Sequence, residues 1–194
     1  MGLRLITPPS AEPITLTEAK QHLRVTHTDD DAMIAIYLQA ARQHIDGRDG
    51  WLGRAIMTQT WELSLDCFPL DGTIRLPFPP LQSVTSVKYD DSIGDEQTLA
   101  PDAYSVDAES QPGWVVMNAG GWPATFAGIN AARIRFVAGY GTAAEVPASI
   151  KAALLLMLGT LYENRSEVVI GQTAVVMPFA AQVLLRPFQV FSHF

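Results

Sequence analysis

Between Ile56 and Val137 the sequence abandons helical spacing for short runs rich in Val, Thr, Ile and aromatic residues, broken by Pro, Gly and Asp. That is the texture of strands and turns. On either side the apolar residues return to helical spacing. A helix, strand, helix order over 194 residues points to an α+β fold without alternating βαβ units. Strands are expected at 57–66, 73–76, 83–89, 103–106, 113–117 and 131–138. The stretch from Pro77 to Pro80 is excluded from any central strand, because proline has no N–H for a ladder. Asp90 to Asp95, with Gly94, reads as a turn whose side chains bond their own backbone.

Ahead of this lobe, Thr15-Leu16-Thr17-Glu18 has the spacing of a capping box, so a helix is expected from Leu16 to about Val25. Thr28 and Asp31 repeat that spacing, and Ile34, Tyr37, Leu38, Ala41 and Ile45 follow as one apolar face. They predict a longer second helix ending near Gly47 or Gly50. Pro147 can open a third, whose face is Ile150, Ala153, Leu154, Met157, Leu158, Leu161 and Tyr162. Leu155 and Leu156 widen its apolar surface beyond one stripe, which implies burial on several sides, by its own domain or a neighbouring subunit. Past Arg165 the pattern becomes irregular, through Gly171 and Pro178 to a terminus carrying Phe188, Phe191 and Phe194.

Charge and side-chain chemistry narrow the function classes. The formal net charge is −7 and Lys and Arg are scattered, whereas a DNA-reading surface needs a basic patch. One cysteine, Cys67, excludes an internal disulfide and a Cys-rich zinc site, and it reads as a packed small hydrophobe. The 48% hydrophobic content is enough for a core. The opening apolar stretch is short and closed by Pro8 and Pro9, so no signal peptide is expected, and the longest charge-free apolar run, Ala152 to Gly159, is too short for a membrane span. Asp29, Asp30 and Asp31 could suggest a metal or acid-base cluster, but they fall in the first turn of a helix, where carboxylates favour the dipole. Gly139-Tyr140-Gly141-Thr142-Ala143-Ala144 has dinucleotide-fingerprint spacing, yet Pro147 starts the following helix too late for its N–H groups to hold a pyrophosphate. His22, His27, His44 and His193 show no metal-binding spacing, and the serines lack a nucleophile elbow. No catalytic residue, cofactor site or metal site is expected.

The order of these pieces carries a resemblance. Ile14-Thr15-Leu16-Thr17-Glu18-Ala19-Lys20 with Gln21-His22-Leu23-Arg24-Val25, Asp30-Asp31 and Ala40-Ala41-Arg42 resembles the opening of phage head-tail connector proteins, the gp6-like and phiE125 gp8-like group also found in prophages and gene transfer agents. The likeness continues through Gln59-Thr60-Trp61, Leu76-Pro77-Phe78-Pro79-Pro80-Leu81, Ser83-Val84, Ser86-Val87-Lys88-Tyr89, Gly121-Trp122-Pro123, Val137 to Gly141, Val146-Pro147, Ile150 to Ala153 and Leu161 to Arg165. Beyond Arg165 it is looser, resting on Leu184-Leu185 and Pro187.

The resemblance implies a mainly helical connector core of three or more helices, with a small antiparallel β lobe between helices 2 and 3. The corresponding boundaries are 1–55 and 139–177 for the core, 56–138 for the lobe and 178–194 for a C-terminal docking arm. It further implies a structural, non-enzymatic subunit, forming a ring, a dodecamer in the family, beneath the portal of a tailed phage, prophage or gene transfer agent particle. The implied partners are other copies, the portal protein and a tail-side head-closure protein, with DNA passing through unread and no membrane involved. Assembly in the bacterial cytoplasm and residence at the head-tail junction of the virion follow. A head-closure or tail-completion factor, or a small enzyme with an acidic site, are the competing classes. Candidate partner-binding residues are Arg165, whose neighbour Asn164 could alternatively take a left-handed cap, and Phe179, Leu184, Leu185, Arg186, Phe188, Phe191 and Phe194. Four of the eight phenylalanines lie in the last 16 residues, where chains are usually polar.

Overall fold

The computed structural model describes residues 1–164 and 177–190. The fold is α+β, and the chain divides into two compact units, Met1–Ser10 with Met57–Tyr140, and Ala11–Ile56 with Gly141–Phe194.

The first unit is built on β-structure. Its strands are β1 (Gly2–Thr7), β2 (Gln59–Leu65), β3 (Thr73–Arg75), β4 (Leu81–Asp90), β5 (Glu96–Thr98), β6 (Tyr104–Asp107), β7 (Trp114–Met117) and β8 (Ala132–Ala138). Five form an antiparallel sheet in the order β1-β2-β8-β4-β5, and three form a second in the order β3-β7-β6. β8 lies at the centre of the larger sheet, and its Ala132, Ile134, Phe136 and Ala138 are all buried. That period of two is what a half-buried strand requires. Trp61 packs on Phe78 with ring centroids 4.6 Å apart, and Phe68 stacks on Trp122 at the same separation. Burying a side chain such as Phe68 or Phe78 contributes about 1.5–3 kcal/mol.

Two strands have no strong sequence signal. β1 is a short run closed by Pro8 and Pro9 that gains its ladder from the distant β2, Leu5 facing Trp61. β5 is Glu-Gln-Thr, wholly exposed, and exists because the Asp91 turn folds it back on β4. The Asp91 carboxylate accepts from the N–H groups of Ile93 and Asp95, and Gly94 takes a positive φ of 94°. Cys67 is exposed rather than packed, because it follows the end of β2 and Phe68 occupies the interior instead.

The second unit is helical. α1 (Leu16–Leu23) carries the full capping box: the Thr15 hydroxyl accepts from the N–H of Glu18 at 3.2 Å, and the Glu18 carboxylate accepts from the N–H of Thr15 at 2.7 Å. α2 (Asp31–Ile45) starts differently from expectation. Asp30 is its N-cap and no side chain caps the helix, so the second capping box does not form. Both carboxylates have other partners: Asp31 takes Lys20 at 2.5 Å and Asp30 accepts from the Tyr162 hydroxyl. α3 (Ala148–Glu163) is N-capped at Pro147 and packs against α1, α2 and the C-terminal helix α4 (Phe179–Leu185). Ile150, Ala153, Leu154, Met157 and Leu158 are buried within its own unit, whereas Leu155, Leu156, Leu161 and Tyr162 are only half-buried, so the wider apolar surface is not fully covered there. Asn164 ends it at φ −107°, not left-handed, and its side-chain amide donates to the Thr160 carbonyl at 2.9 Å. A short 3-10 turn, Arg186–Phe188, follows α4. No helix among the described residues is long and apolar enough to cross a membrane.

Candidate interaction surface

The C-terminal segment is fastened to the helical unit through backbone groups. The N–H of Val190 donates to the Leu52 carbonyl at 2.9 Å, the Gln189 amide donates to the Trp51 carbonyl at 3.2 Å, and the Arg54 guanidinium donates to the Phe188 carbonyl. Gly53 makes this approach feasible. Its φ is +62°, and a Cβ there would lie 2.7 Å from the Val190 carbonyl oxygen, a contact only glycine avoids.

The loop receiving the segment is itself held by buried ions. Arg42 donates to Glu12 at 2.7 Å and to Asp46 at 2.8 Å, while the second oxygen of Asp46 accepts from the N–H of Ile56 at 2.9 Å. Burial alone would lower the Arg42 pKa, but the hydrogen bonds to Glu12 and Asp46 outweigh it and raise it. The charges are therefore paired and bonded, as buried charges must be.

Of the candidate residues, Arg165, Phe191 and Phe194 lie outside the described residues. The others share one segment but not one environment. Leu185 is fully buried and, with Ala181, anchors α4. Leu184 and Phe188 are half-buried, Arg186 is exposed, and Phe179 retains 79% of its accessible surface. Val183, one turn beyond Phe179, is 54% exposed and was not among the candidates.

A second apolar surface lies on α2. Its inward stripe is Ile34, Leu38, Ala41 and Ile45, all buried, yet Met33 and Ile36 on the other side are 41% and 60% exposed. None of the exposed residues of α2 is Lys, Arg, Asp or Glu. A solvated helix face normally carries such charges, so their absence was a readable signal.

The motifs that resemble chemical sites are occupied by structural bonds. At the glycine-spaced turn Gly139 and Gly141 have positive φ, and the Glu145 carboxylate accepts from the N–H of Thr142 at 2.6 Å, which uses a donor a phosphate would need. Among the described residues no group of three His, Cys, Asp or Glu side chains is placed to hold a metal ion. In the sheet unit Glu62 sits between Arg4 and Arg135, directly opposite both across β1, β2 and β8, at 2.8 and 2.7 Å. Burial would raise the Glu62 pKa, but the bonds from Arg135 and Arg4 hold it below the ordinary value.

Residues 13–91 match a family model described as phage gp6-like head-tail connector protein. Among solved structures, a chain from the neck of an empty gene transfer agent particle, computed with C6 symmetry, is similar with a TM-score of 0.81 and 22% identity, covering 100% of this chain and 98% of that one. Chains from the virion of the native particle and from its neck computed with C12 symmetry give TM-scores of 0.77 and 0.76 at 23% identity, with the same coverage. A search of curated protein sequences found no significant match. The chain thus carries the family pattern of the phage gp6-like head-tail connector proteins over residues 13–91 and the fold of gene transfer agent neck chains over its whole length.

Proposed function

We propose that this chain is a structural head-tail connector subunit that forms a ring at the neck of a phage, prophage or gene transfer agent particle, between the portal and a tail-side closure protein. The observation that carries the reading is the full-length agreement in fold with neck chains, joined to the connector family pattern. In this reading the helical unit is the connector core, residues 56–138 are a β lobe joined by the N-terminal strand β1, and the segment 178–194 is a docking arm for the portal or a neighbouring subunit. The arm offers Phe179, Leu184, Arg186 and Phe188, with Leu185 as its anchor; Arg165, Phe191 and Phe194 complete the set.

The role is assembly rather than catalysis. The acidic residues at the start of α2 are used in bonds to Lys20 and Tyr162, which supports a structural use. With a net charge of −7 the ring lets DNA pass without gripping it, although salt limits such repulsion to about 8–10 Å. Assembly takes place in the bacterial cytoplasm and the product resides in the virion.

Co-expression with the portal protein of the same particle, followed by mass photometry and cryo-electron microscopy, tests this. A symmetric ring of this chain on the portal is expected. A copy located on the tail side, or no association at all, sinks the connector assignment. Binding to duplex DNA tighter than about micromolar at physiological salt would sink the passive-channel part, since non-specific association lies at or above that range.

A further inference from the structure

We infer that the charge-free outer face of α2, centred on Met33 and Ile36, docks on the exposed face of α4, Phe179 and Val183, of a second copy of this chain. The inference rests on the ring reading above and names the contact that would build the ring.

Both faces belong to the helical unit and both expose large apolar side chains, Ile36 at 60% and Phe179 at 79%. α3 packs against both α2 and α4, so the helices that carry the two faces are held by the same central helix. A head-to-tail contact needs two different patches on one subunit, whereas a two-fold dimer needs one self-complementary patch. Two dissimilar faces fit the first requirement.

Charge argues for a second copy as the occupant. Copies that each carry −7 repel one another. The sheet unit has ten carboxylates against five cations, and the helical unit ten against eight, so the helical unit is closer to neutral. Within it the α2 face has no formal charge among its exposed residues, and the exposed residues of α4 have none either. Two acidic chains can meet there without placing like charges together. A nucleic acid would need cations on that face, and a foreign partner chosen by charge would find nothing to read.

The size of the face sets the strength. A 15-residue helix is about 22 Å long and about 10 Å wide, well under the roughly 800 Å² that a stable pair covers on each partner. A single contact is therefore weak. Rings are expected on a portal template or in concentrated solution, and monomers when dilute.

Cysteine cross-linking tests the register of the contact. In a Cys67→Ser background, which removes an exposed thiol, Ile36→Cys and Val183→Cys are combined and oxidised in the portal-bound complex and in the concentrated free subunit. The expected result is a ladder of dimers, trimers and higher species, while each single variant remains monomeric. Efficient cross-linking of Ile36→Cys alone would show α2 pairing with itself and overturn the head-to-tail contact. Absence of a ladder in a wild-type-like ring also overturns it, leaving the ring reading intact. If the wild-type chain forms no ring on the portal or in the particle, the ring reading fails and this contact fails with it. As an independent measure, Ile36→Lys should leave thermal unfolding unchanged and reduce portal-supported assembly by about tenfold or more, the effect of roughly 1.4 kcal/mol lost per contact. Normal assembly of that variant overturns the proposal.

Discussion

In the helical unit the buried ions Arg42 and Asp46 lie one helical turn apart and brace the loop that follows, whereas in the sheet unit the buried Glu62 lies in mid-strand between two arginines that reach solvent. The side-chain exposures are 9% and 3% for Arg42 and Asp46, but 69% and 41% for Arg4 and Arg135. The same chemistry serves two purposes. In the helical unit it satisfies the backbone of an irregular loop, and removing Asp46 leaves buried Arg42 with Glu12 alone and a backbone N–H unbonded. In the sheet unit it marks strand register, since Arg4, Glu62 and Arg135 are direct cross-strand partners, and the arginines can turn to water if the carboxylate is lost.

The largest effect should therefore come from Asp46→Ala. It leaves Arg42 short of a partner and the Ile56 N–H unbonded. Breaking a buried pair costs about 3–5 kcal/mol, which at this chain length lowers the unfolding midpoint by roughly 10 °C. A fall of only one or two degrees in calorimetry would erase the distinction between the two units.

Glu62→Gln should cost less, about 1–2 kcal/mol, because its lost bonds to charged groups are offset by rehydration of exposed arginines. Its pH dependence sharpens the comparison. The Glu62 carboxyl is held below its ordinary value, so its stabilisation is present above the ordinary Glu pKa of about 4.3 and fades as the pH falls through the folded value. The difference in midpoint between wild type and Glu62→Gln should be constant near neutrality and shrink below about pH 4. A gap that widened on acidification would contradict this pairing.

Much of this architecture can be read from local pattern, and the exceptions share one cause. The capping box at Thr15, the turn at Asp91 and the alternation in Ala132 to Ala138 are encoded within a few residues, and the expected elements form there. β1 and β5 depend on pairing with other strands and have little pattern of their own. α4 has seven residues and no side-chain cap, so it depends on burying Ala181 and Leu185, too little signal in an irregular stretch. At the start of α2, three successive aspartates leave the choice of N-cap to tertiary partners, here Lys20 and Tyr162. The outer face of α2 was legible in its lack of charge, but the inward stripe dominates the helical pattern. Among the candidate residues, the division between buried Leu185 and exposed Phe179 was not legible, because burial on α4 depends on its packing against α3.

A smaller effect, about 1 kcal/mol, should follow Thr15→Ala, the typical cost of losing an N-cap. Thr15 and Glu18 are exposed, so α1 loses bonds that water partly replaces. The Glu18 carboxyl is held below its ordinary value chiefly by the Thr15 N–H and then by its hydroxyl. The substitution leaves the first bond available and removes the second, so the Glu18 pKa measured by NMR should rise towards, but not reach, its ordinary value. A loss comparable to that of Asp46→Ala would mean that α1 is held by its cap rather than by packing on α2 and α3.

The smallest effect on stability should come from Phe179→Ser, although a buried phenylalanine truncated in a core costs about 3–5 kcal/mol. Phe179 is 79% exposed, so folding removes little of its ring from water, while Leu185 on the same helix is fully buried. Substitutions at such exposed positions usually stay within about 0.5 kcal/mol. The Phe179→Ser midpoint should thus match the wild type, and the variant should be at least as soluble, because an exposed apolar ring has been removed. Assembly should suffer instead, since a ring that gains nothing in the lone subunit is stabilising only once a partner covers it. Thermal unfolding and portal co-sedimentation on the same preparation separate the two. A clear drop in midpoint would show that the chain's own residues already cover Phe179 in solution, which would remove α4 as a partner-facing surface. An unchanged midpoint with undiminished assembly would leave the exposed ring without a role in the particle.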